Sequence, residues 1–277
     1  MTPDIAPDAP RAPRPQRTRG RLHVGAARRA RTTRLAALDQ SGALKSVFPR
    51  AHDRLEAIMV NTAGGITGGD RLSVSATTGP GATLCLTTQA AERAYRAEGP
   101  VPGRVETRLD VATGATLFWL PQELILYDGC ALERRLTAAL DPAARLLFAE
   151  PVLFGRAAMG ETLRTGLFRD RVSITRGGRQ IYRDGLDLSG AITDRLARPS
   201  VADGAAAMCS LVYAAPEAQA ELAPLRALLP MSGGASLLAP DLLIMRVVAA
   251  DGHALRQTLL PVLDRLTGDS LPRSWRL

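Results

Sequence analysis

Short runs in which apolar and polar residues alternate follow one another along most of the chain. In residues 71–77, Leu72, Val74 and Ala76 fall on one side of an extended backbone and polar residues stand between them. Each run ends at Gly, Pro, Asn or Asp, which is typical of short strands separated by turns. Similar runs occur at 55–60, 82–88, 104–111, 115–120 and 242–250.

Turn and helix signals complete this pattern. Gly177-Gly178 stands between two alternating runs and predicts a β-hairpin, because both central turn residues need positive φ. Helices are predicted at 88–97, 217–229 and 253–267, where Pro261 should kink the last helix or mark its true start. Many strands with two or three helices predict a mainly β fold, a β-rich α+β arrangement in a single large domain.

Charge is concentrated at the N-terminus. The net charge is +8, but residues 1–34 hold nine arginines and two aspartates, while the other 243 residues hold 26 basic and 25 acidic groups. We therefore expect a disordered Arg/Pro-rich tail over residues 1–24 and a nearly neutral folded domain over 25–277. A basic tail could contact nucleic acid or an acidic partner, or could be a solvated extension.

Composition also bounds the compartment. No apolar run reaches the roughly 18 residues that a membrane-spanning helix needs. The three cysteines, Cys85, Cys130 and Cys209, are widely spaced and indicate no disulfide framework. We expect a cytoplasmic protein without a membrane anchor.

Several catalytic constellations are absent from the sequence. There is no GxxxxGK[ST] phosphate loop, no GxGxxG opening a helix and no GxSxG elbow. The three histidines do not pair at metal-ligand spacing. These absences argue against a nucleotide hydrolase and a stable metalloenzyme. They argue less strongly against a hydrolase that uses Asp and Glu as acid and base, because such residues need not be adjacent in sequence.

Three segments combine glycines with carboxylates. Residues 61–70 hold two Gly-Gly pairs, Gly64-Gly65 and Gly68-Gly69, and end in Asp70. Residues 120–129 place Glu123 and Asp128 at opposite ends of an apolar run, and residues 155–161 end in Glu161. The glycines indicate a tight loop, either a strained connection or a place where something passes close to the backbone. The carboxylates either flank strands on the surface or form part of a site.

Taken together, these segments resemble the UreD family of urease accessory proteins. The matching blocks stand in order from about residue 25 to the end: NTAGGITGGDRL, LTTQAAERAYR, WLPQELILYDGCAL, GRAAMGE and LPRSW. The sequence departs from the family at Thr62 and Ala63, where prolines are usual, and at Ser274, where an aliphatic residue is expected.

The resemblance implies a non-catalytic scaffold. Members are β-rich, bind a UreF-like helical partner and a UreG-like GTPase, and help to deliver nickel to apo-urease. The resemblance implies no stably bound cofactor, transient Ni²⁺ and an internal passage for the metal. Lone carboxylates suit such a passage because oxygen ligands hold Ni²⁺ less firmly than imidazole or thiolate. The candidates are Asp70, Glu123, Asp128 and Glu161; Glu92 is weaker because it falls in a predicted helix.

The C-terminus offers a candidate partner surface. Leu271, Arg273 and Trp275 follow the last predicted helix, and Trp and Arg are typical interface anchors. The alternative is that the terminal Trp fills the core. As alternatives to the scaffold, we keep a basic-tailed nucleic-acid-binding module and an uncharacterised Asp/Glu hydrolase.

Overall fold

A computed structural model describes residues 16–51, 53–156 and 159–276, which form two β-sheets and a helical layer. Strands in chain order are β1 Arg19–Arg29, β2 Thr32–Gly42, β3 Leu44–Val47, β4 Leu55–Asn61, β5 Arg71–Thr78, β6 Thr83–Thr88, β7 Glu92–Ala94, β8 Gly103–Val111, β9 Thr116–Leu120, β10 Leu124–Leu126, β11 Ala131–Leu140, β12 Arg145–Arg156, β13 Glu161–Thr162, β14 Thr165–Arg176, β15 Arg179–Ala191, β16 Ala207–Ala214, β17 Gly233–Ala239 and β18 Leu242–Ala249. Helices are α1 Ile192–Leu196, α2 Ala218–Leu228 and α3 Gly252–Thr267, and a 3₁₀ turn covers Arg273–Arg276. The predicted mainly β class is confirmed.

The chain winds between the two sheets. Sheet A has the strand order β15-β14-β11-β8-β5-β1-β2, and sheet B has the order β17-β18-β16-β12-β9-β6-β4-β3. Strands β10 and β13 are attached at β12, and β7 is attached at β10. From β4 to β14 most successive strands alternate between sheets, and neighbours such as β5 and β8, or β6 and β9, run parallel. Each crossover that a parallel pair requires is therefore made through the opposite sheet.

Alternation along the strands builds the core between the sheets. Leu72, Val74 and Ala76 of β5 are buried as predicted, and they share one continuous apolar cluster with residues of sheet B such as Leu84 and Leu86. The predicted hairpin is also confirmed: Gly177 and Gly178 join β14 to β15 with φ values of 54° and 79°. The two sheets thus pack face to face as a sandwich.

The helices cover the other face of sheet B. Leu255, Leu259, Val262 and Leu263 of α3 are buried in a second apolar cluster with sheet B residues. Asp251 caps α3 by accepting a hydrogen bond from the Ala254 amide at 2.8 Å. The helices predicted at 217–229 and 253–267 are confirmed as α2 and α3, but α3 begins at Gly252 and not at Pro261.

Two predictions about local structure are wrong. Residues 88–97 form no helix, because Glu92–Ala94 pair in parallel with Leu124–Leu126 of β10. Residues 19–24 are not disordered: they begin β1, which pairs with β2 and β5 and buries Leu22 and Val24. Residues 1–15 of the predicted tail lie outside the described residues.

Among residues 16–51, 53–156 and 159–276, no helix combines the length and the apolar character needed to cross a bilayer.

Candidate functional site

A cavity of about 320 Å³ lies between the two sheets. Its wall is mostly apolar, with a few polar groups concentrated at Asn61 and Glu92 on one side and at Arg134 and Glu150 on another. Such a combination of an apolar wall and few convergent polar groups is typical of binding sites in proteins. Other lining residues include Met59, Ile66, Leu72, Val74, Thr88, Thr107, Trp119, Gln122, Leu124 and Leu132.

Glu92 lies on β7 at the partly exposed side of this cavity. Its Oε2 accepts a hydrogen bond from Asn61 Nδ2 at 3.0 Å, and the same Nδ2 donates to the Gly65 carbonyl at 3.1 Å. Burial raises the pKa of Glu92, while the hydrogen bond from Asn61 lowers it less. Asn61 therefore connects the glycine loop to the carboxylate of Glu92.

The glycine loop of residues 61–70 needs its glycines for two reasons. Gly64 and Gly69 have φ values of 75° and 84°, which favour glycine. A Cβ on Gly65 would lie 2.2 Å from the Tyr95 ring, and one on Gly68 would lie 2.8 Å from the Val101 carbonyl oxygen. These contacts are between parts of the chain itself, so the close approach at Gly65 and Gly68 is explained by packing.

Glu150 lies on β12 with its side chain between the sheets. It is 4% exposed, and its Oε1 accepts a hydrogen bond from Trp119 Nε1 at 2.8 Å. Its Oε2 is 2.7 Å from Arg134 Nη2 but accepts no aligned hydrogen bond. Burial raises the pKa of Glu150 to about 7, even though the positive charge of Arg134 lowers it.

Arg134 on β11 connects the two sheets. Its Nε and Nη2 donate to the two oxygens of Asp170 at 3.1 and 2.5 Å, so this ion pair is bidentate. Burial opposes the charge of Arg134, but the carboxylates of Asp170 and Glu150 outweigh burial and raise its pKa. The guanidinium therefore stays charged inside the sandwich.

The register of strand pairing places further polar side chains beside Arg134 and Glu150. Glu150 pairs with Ser210, and Ser210 pairs with Arg246, in sheet B, while Arg134 pairs with Asp170 in sheet A. Arg246 forms an ion pair with Asp184. A small cleft of about 20 Å³ lies among these groups, and both Arg134 and Glu150 line it as well as the larger cavity. Polar side chains thus form a band that runs from Glu150 and Arg134 in the sandwich interior to the exposed Arg246.

Within the part of the chain that the structure describes, no group of three or more His, Cys, Asp and Glu side chains is placed to bind one metal ion. Burial raises the pKa of Cys85 and of Cys130 to about 12, so neither thiol offers a thiolate near neutral pH. Among the described residues that line the cavity, the ionisable side chains able to bind a metal ion are the carboxylates of Glu92 and Glu150.

Asp70 lies at the end of the glycine loop and is 3% exposed. Its Oδ1 accepts a hydrogen bond from the Thr18 amide at 2.7 Å, and its Oδ2 accepts one from the Thr67 amide at 2.8 Å. Both oxygens are thus used to fix the loop against the segment before β1. Asp70 does not line the cavity described above.

Asp128 and Glu161 lie together at a second turn. Asp128 accepts hydrogen bonds from the Thr165 amide at 2.9 Å and from Arg96 at 3.0 Å. The hydrogen bond from Thr165 is the main reason why the pKa of Asp128 is lowered. Glu161 accepts from the Asp128 amide at 3.3 Å and pairs with Arg156. Like Asp70, these carboxylates are held by the chain and lie outside the cavity lining.

Sequence comparisons identify the family of the chain. The family described as UreD urease accessory protein matches residues 18–276. The chain belongs to the UreD family. It is 51% identical over 240 residues to a urease accessory protein UreD of Roseobacter denitrificans, covering 87% of this chain and 88% of the relative. It is 53% identical over 241 residues to one of Ruegeria pomeroyi, covering 87% and 94%, and 49% identical over 288 residues to one of Ruegeria sp. strain TM1040, covering 98% and 97%.

In this UreD chain, Glu123 and the C-terminus belong to one buried cluster. Arg256 of α3 donates from Nε to Glu123 at 3.1 Å and from Nη2 to Gln122 at 3.0 Å. Gln122 Nε2 donates in turn to the Ser274 carbonyl at 3.0 Å. Glu123 therefore joins the PQE segment to the helical layer, and it too lies outside the cavity lining.

The predicted contact of Leu271 and Trp275 with a partner needs correction. Trp275 is 0% exposed, its indole N–H donates to the Leu120 carbonyl at 3.0 Å, and Leu271 is also buried. Both side chains pack between the helices and sheet B, so they serve as core residues. Arg273 is exposed, and its contact with a partner stays a prediction.

Sequence reasoning did not select Arg134, Glu150 or Asp170. A signal was present, because Arg134 and Asp170 occupy inward positions in alternating strands whose other inward residues are apolar. Glu150 interrupts the apolar run LLFAEPVLF of β12. A charged residue at an inward position is costly unless it is paired or functional, and it therefore indicates a place to search.

Proposed function

We propose that this chain is a non-catalytic scaffold of urease maturation that delivers nickel to apo-urease. It does so in the cytoplasm, in a complex with a UreF-like helical protein and a UreG-like GTPase. Membership of the UreD family and relatives that carry the name urease accessory protein support this proposal. The sequence has no phosphate-binding loop, so GTP hydrolysis belongs to the GTPase partner.

The interior cavity is the proposed nickel route. Glu92 lies at its partly exposed side and Glu150 at its buried end, and the wall between them is largely apolar. Isolated oxygen ligands bind Ni²⁺ weakly enough to release it, whereas a closed set of imidazole and thiolate ligands would retain it. The observation that carries the proposal is the Glu150 carboxylate, which is buried at the end of a cavity with one oxygen that accepts no hydrogen bond.

The carboxylates first predicted for this route receive a supporting role. Asp70, Asp128, Glu161 and Glu123 are engaged by backbone amides or arginines and lie outside the lining of the cavity. We assign them to holding the loops and the helical layer around the cavity. Nickel is cargo in this scheme, and the chain retains no metal at rest.

A gene deletion tests the proposed function directly. Urease would be purified from a strain that lacks this protein and from the same strain with the gene restored, and nickel would be measured per active site. We expect assembled but nickel-poor urease in the deletion strain and normal occupancy after restoration. Normal nickel occupancy in the deletion strain would contradict the proposal. Co-purification with the two partners from the restored strain tests the scaffold role separately.

A further inference from the structure

The Arg134 guanidinium stands at the boundary between two internal spaces. Arg134 and Glu150 line both the 320 Å³ cavity and the small cleft beyond it. Arg134 is held there by Asp170 and Glu150, and its guanidinium carbon lies 5.7 Å from the centre of the Phe168 ring. A protein cation therefore closes the inner end of the larger cavity.

One nitrogen of Arg134 occupies a position suited to a metal ion. Nη2 lies 2.7 Å from Glu150 Oε2 and 2.5 Å from Asp170 Oδ2, so it stands between oxygens from opposite sheets. Carboxylate oxygens bind small divalent transition metals at about 2.0–2.2 Å. Once the guanidinium has moved aside, a shift of a few tenths of an ångström in each carboxylate would bring both oxygens to metal-ligand distance.

The local charge also favours a cation. Two carboxylates share one guanidinium, so one negative charge inside the sandwich is uncompensated whenever both carboxylates are ionised. Glu150 Oε2 is buried and accepts no hydrogen bond, whereas Oε1 is used by Trp119. A buried acceptor in this state retains the capacity to bind a positive ion.

We propose that Arg134 is a resident cation that closes the passage, and that a divalent transition-metal ion replaces its guanidinium between Glu150 and Asp170 during transit. The inference rests on the proposed nickel route and specifies how that route is kept closed. In the resting protein the guanidinium compensates one of the two carboxylate charges. When the metal ion enters, its two positive charges neutralise both carboxylates and the guanidinium is released from the pair.

Nickel binding to the purified full-length chain tests the replacement. Ni²⁺ would be titrated calorimetrically into the wild type, Arg134→Met and Arg134→Met/Glu150→Gln, with the UreF-like partner present if the free chain is insoluble. We expect Arg134→Met to bind one Ni²⁺ at least about tenfold more tightly than the wild type, because a competing positive charge within a few ångströms is removed. The double variant should lose that gain. Equal affinity in wild type and Arg134→Met, or tight binding that persists in the double variant, would overturn the proposal.

Loss of Arg134 leaves two unpaired buried carboxylates, so folding needs a separate measurement. We expect Ni²⁺ to raise the melting temperature of Arg134→Met more than that of the wild type. If Arg134→Met does not fold, Arg134→Lys keeps the charge with fewer donors and should bind Ni²⁺ more tightly than the wild type; unchanged affinity would then overturn the proposal. The titration contains no urease. A negative result would therefore refute the closure of the passage by Arg134, whereas the proposed nickel delivery is tested separately by the gene deletion.

Discussion

Asp70 and Glu150 are both buried carboxylates, but their surroundings differ in kind. Asp70 accepts two hydrogen bonds from backbone amides, one for each oxygen. Glu150 accepts one from an indole and directs its other oxygen toward a guanidinium and a cavity without an aligned hydrogen bond. A carboxylate whose oxygens are satisfied by the backbone fixes a loop, whereas an under-satisfied one can still bind a cation.

The same contrast separates the recognisable sequence blocks from the interior band. The blocks contain the glycine loop, Asp128 and the terminal Trp275, and each of these makes contacts within the chain. The interior band of Arg134, Glu150 and Asp170 lies between the sheets beside empty space. Substitutions in the glycine loop, at Asp128 or at Trp275 should therefore reduce the stability of the protein. Substitutions at Arg134, Glu150 or Asp170 should instead reduce nickel transfer.

Replacing Trp275 should have the largest effect on stability. Trp275→Ala removes a fully buried ring and its hydrogen bond to Leu120, so we expect the free energy of unfolding in urea to fall by about 3–5 kcal/mol. Trp275→Phe keeps most of the buried area and should lose less. Unchanged stability together with loss of binding to the UreF-like partner would show that the Trp275 side chain contacts the partner.

Replacing Asp70 should have the next largest effect. Asp70→Ala leaves two buried amides without an acceptor and should cost about 3 kcal/mol, since each unsatisfied group costs about 1–3 kcal/mol. Asp70→Asn retains one acceptor oxygen and should cost less. Denaturation curves and urease activation would be measured for the same two variants. Slower activation at wild-type stability would place Asp70 on the metal route.

Asp128 should show a smaller effect that depends on pH. The Thr165 amide lowers its pKa, so the stability that Asp128 contributes is present above its unfolded pKa of 3.8 and is lost as pH falls through the lower folded value. Asp128→Asn should cost about 1–2 kcal/mol at pH 7. The difference from wild type should shrink below pH 3.8 in thermal melts recorded at several pH values. A difference that stays constant across that range would exclude the charge as its cause.

Replacing Glu150 should cause the smallest loss of stability, with a pH dependence opposite to that of Asp128. The pKa of Glu150 is raised from 4.5 to about 7, so the stability that Glu150 contributes is greatest below pH 4.5 and is lost as pH rises toward 7. Glu150→Gln should differ from wild type by about 1 kcal/mol or less at pH 4.5, because Gln resembles the protonated carboxyl. Glu150→Gln has no carboxyl group to ionise at this position, so it should not lose this contribution to stability. Its stability relative to the wild type should therefore rise up to pH 7. A stability difference that does not change with pH would contradict the raised pKa.

Regular alternation made much of the fold predictable. Leu72, Val74 and Ala76 follow a strict period of two, and Gly177-Gly178 supplies the positive φ values of a hairpin. Residues 88–97 were misassigned because their helix formers are overruled by pairing with β10, a contact between distant parts of the chain. The start of β1 was missed because Arg19 and Arg21 continue the arginine-rich composition of the tail while Leu22 and Val24 enter the core.

The candidate site was harder to predict for a physical reason. Conspicuous motifs mark places where the backbone is constrained, as at Gly65, where no Cβ fits. Arg134 and Asp170 become neighbours when β11 pairs with β14, and Glu150 meets them only when the two sheets pack together. In the sequence, each of them is recognisable as a charged residue on an inward strand face, where burial costs free energy. The sequence does not show which of these charges become neighbours.

The most direct test of the nickel route is the nickel content of urease matured by Glu150→Gln. Urease would be purified from cells that express this variant, the wild type or Glu106→Gln, the same substitution on the exposed outer face of β8. Melting temperatures of both variants that are no lower than that of the wild type, together with equal partner co-purification, would establish that all three proteins fold and assemble. We predict several-fold lower nickel per active site with Glu150→Gln and normal occupancy with Glu106→Gln. Normal nickel occupancy with Glu150→Gln would contradict a route through the interior cavity.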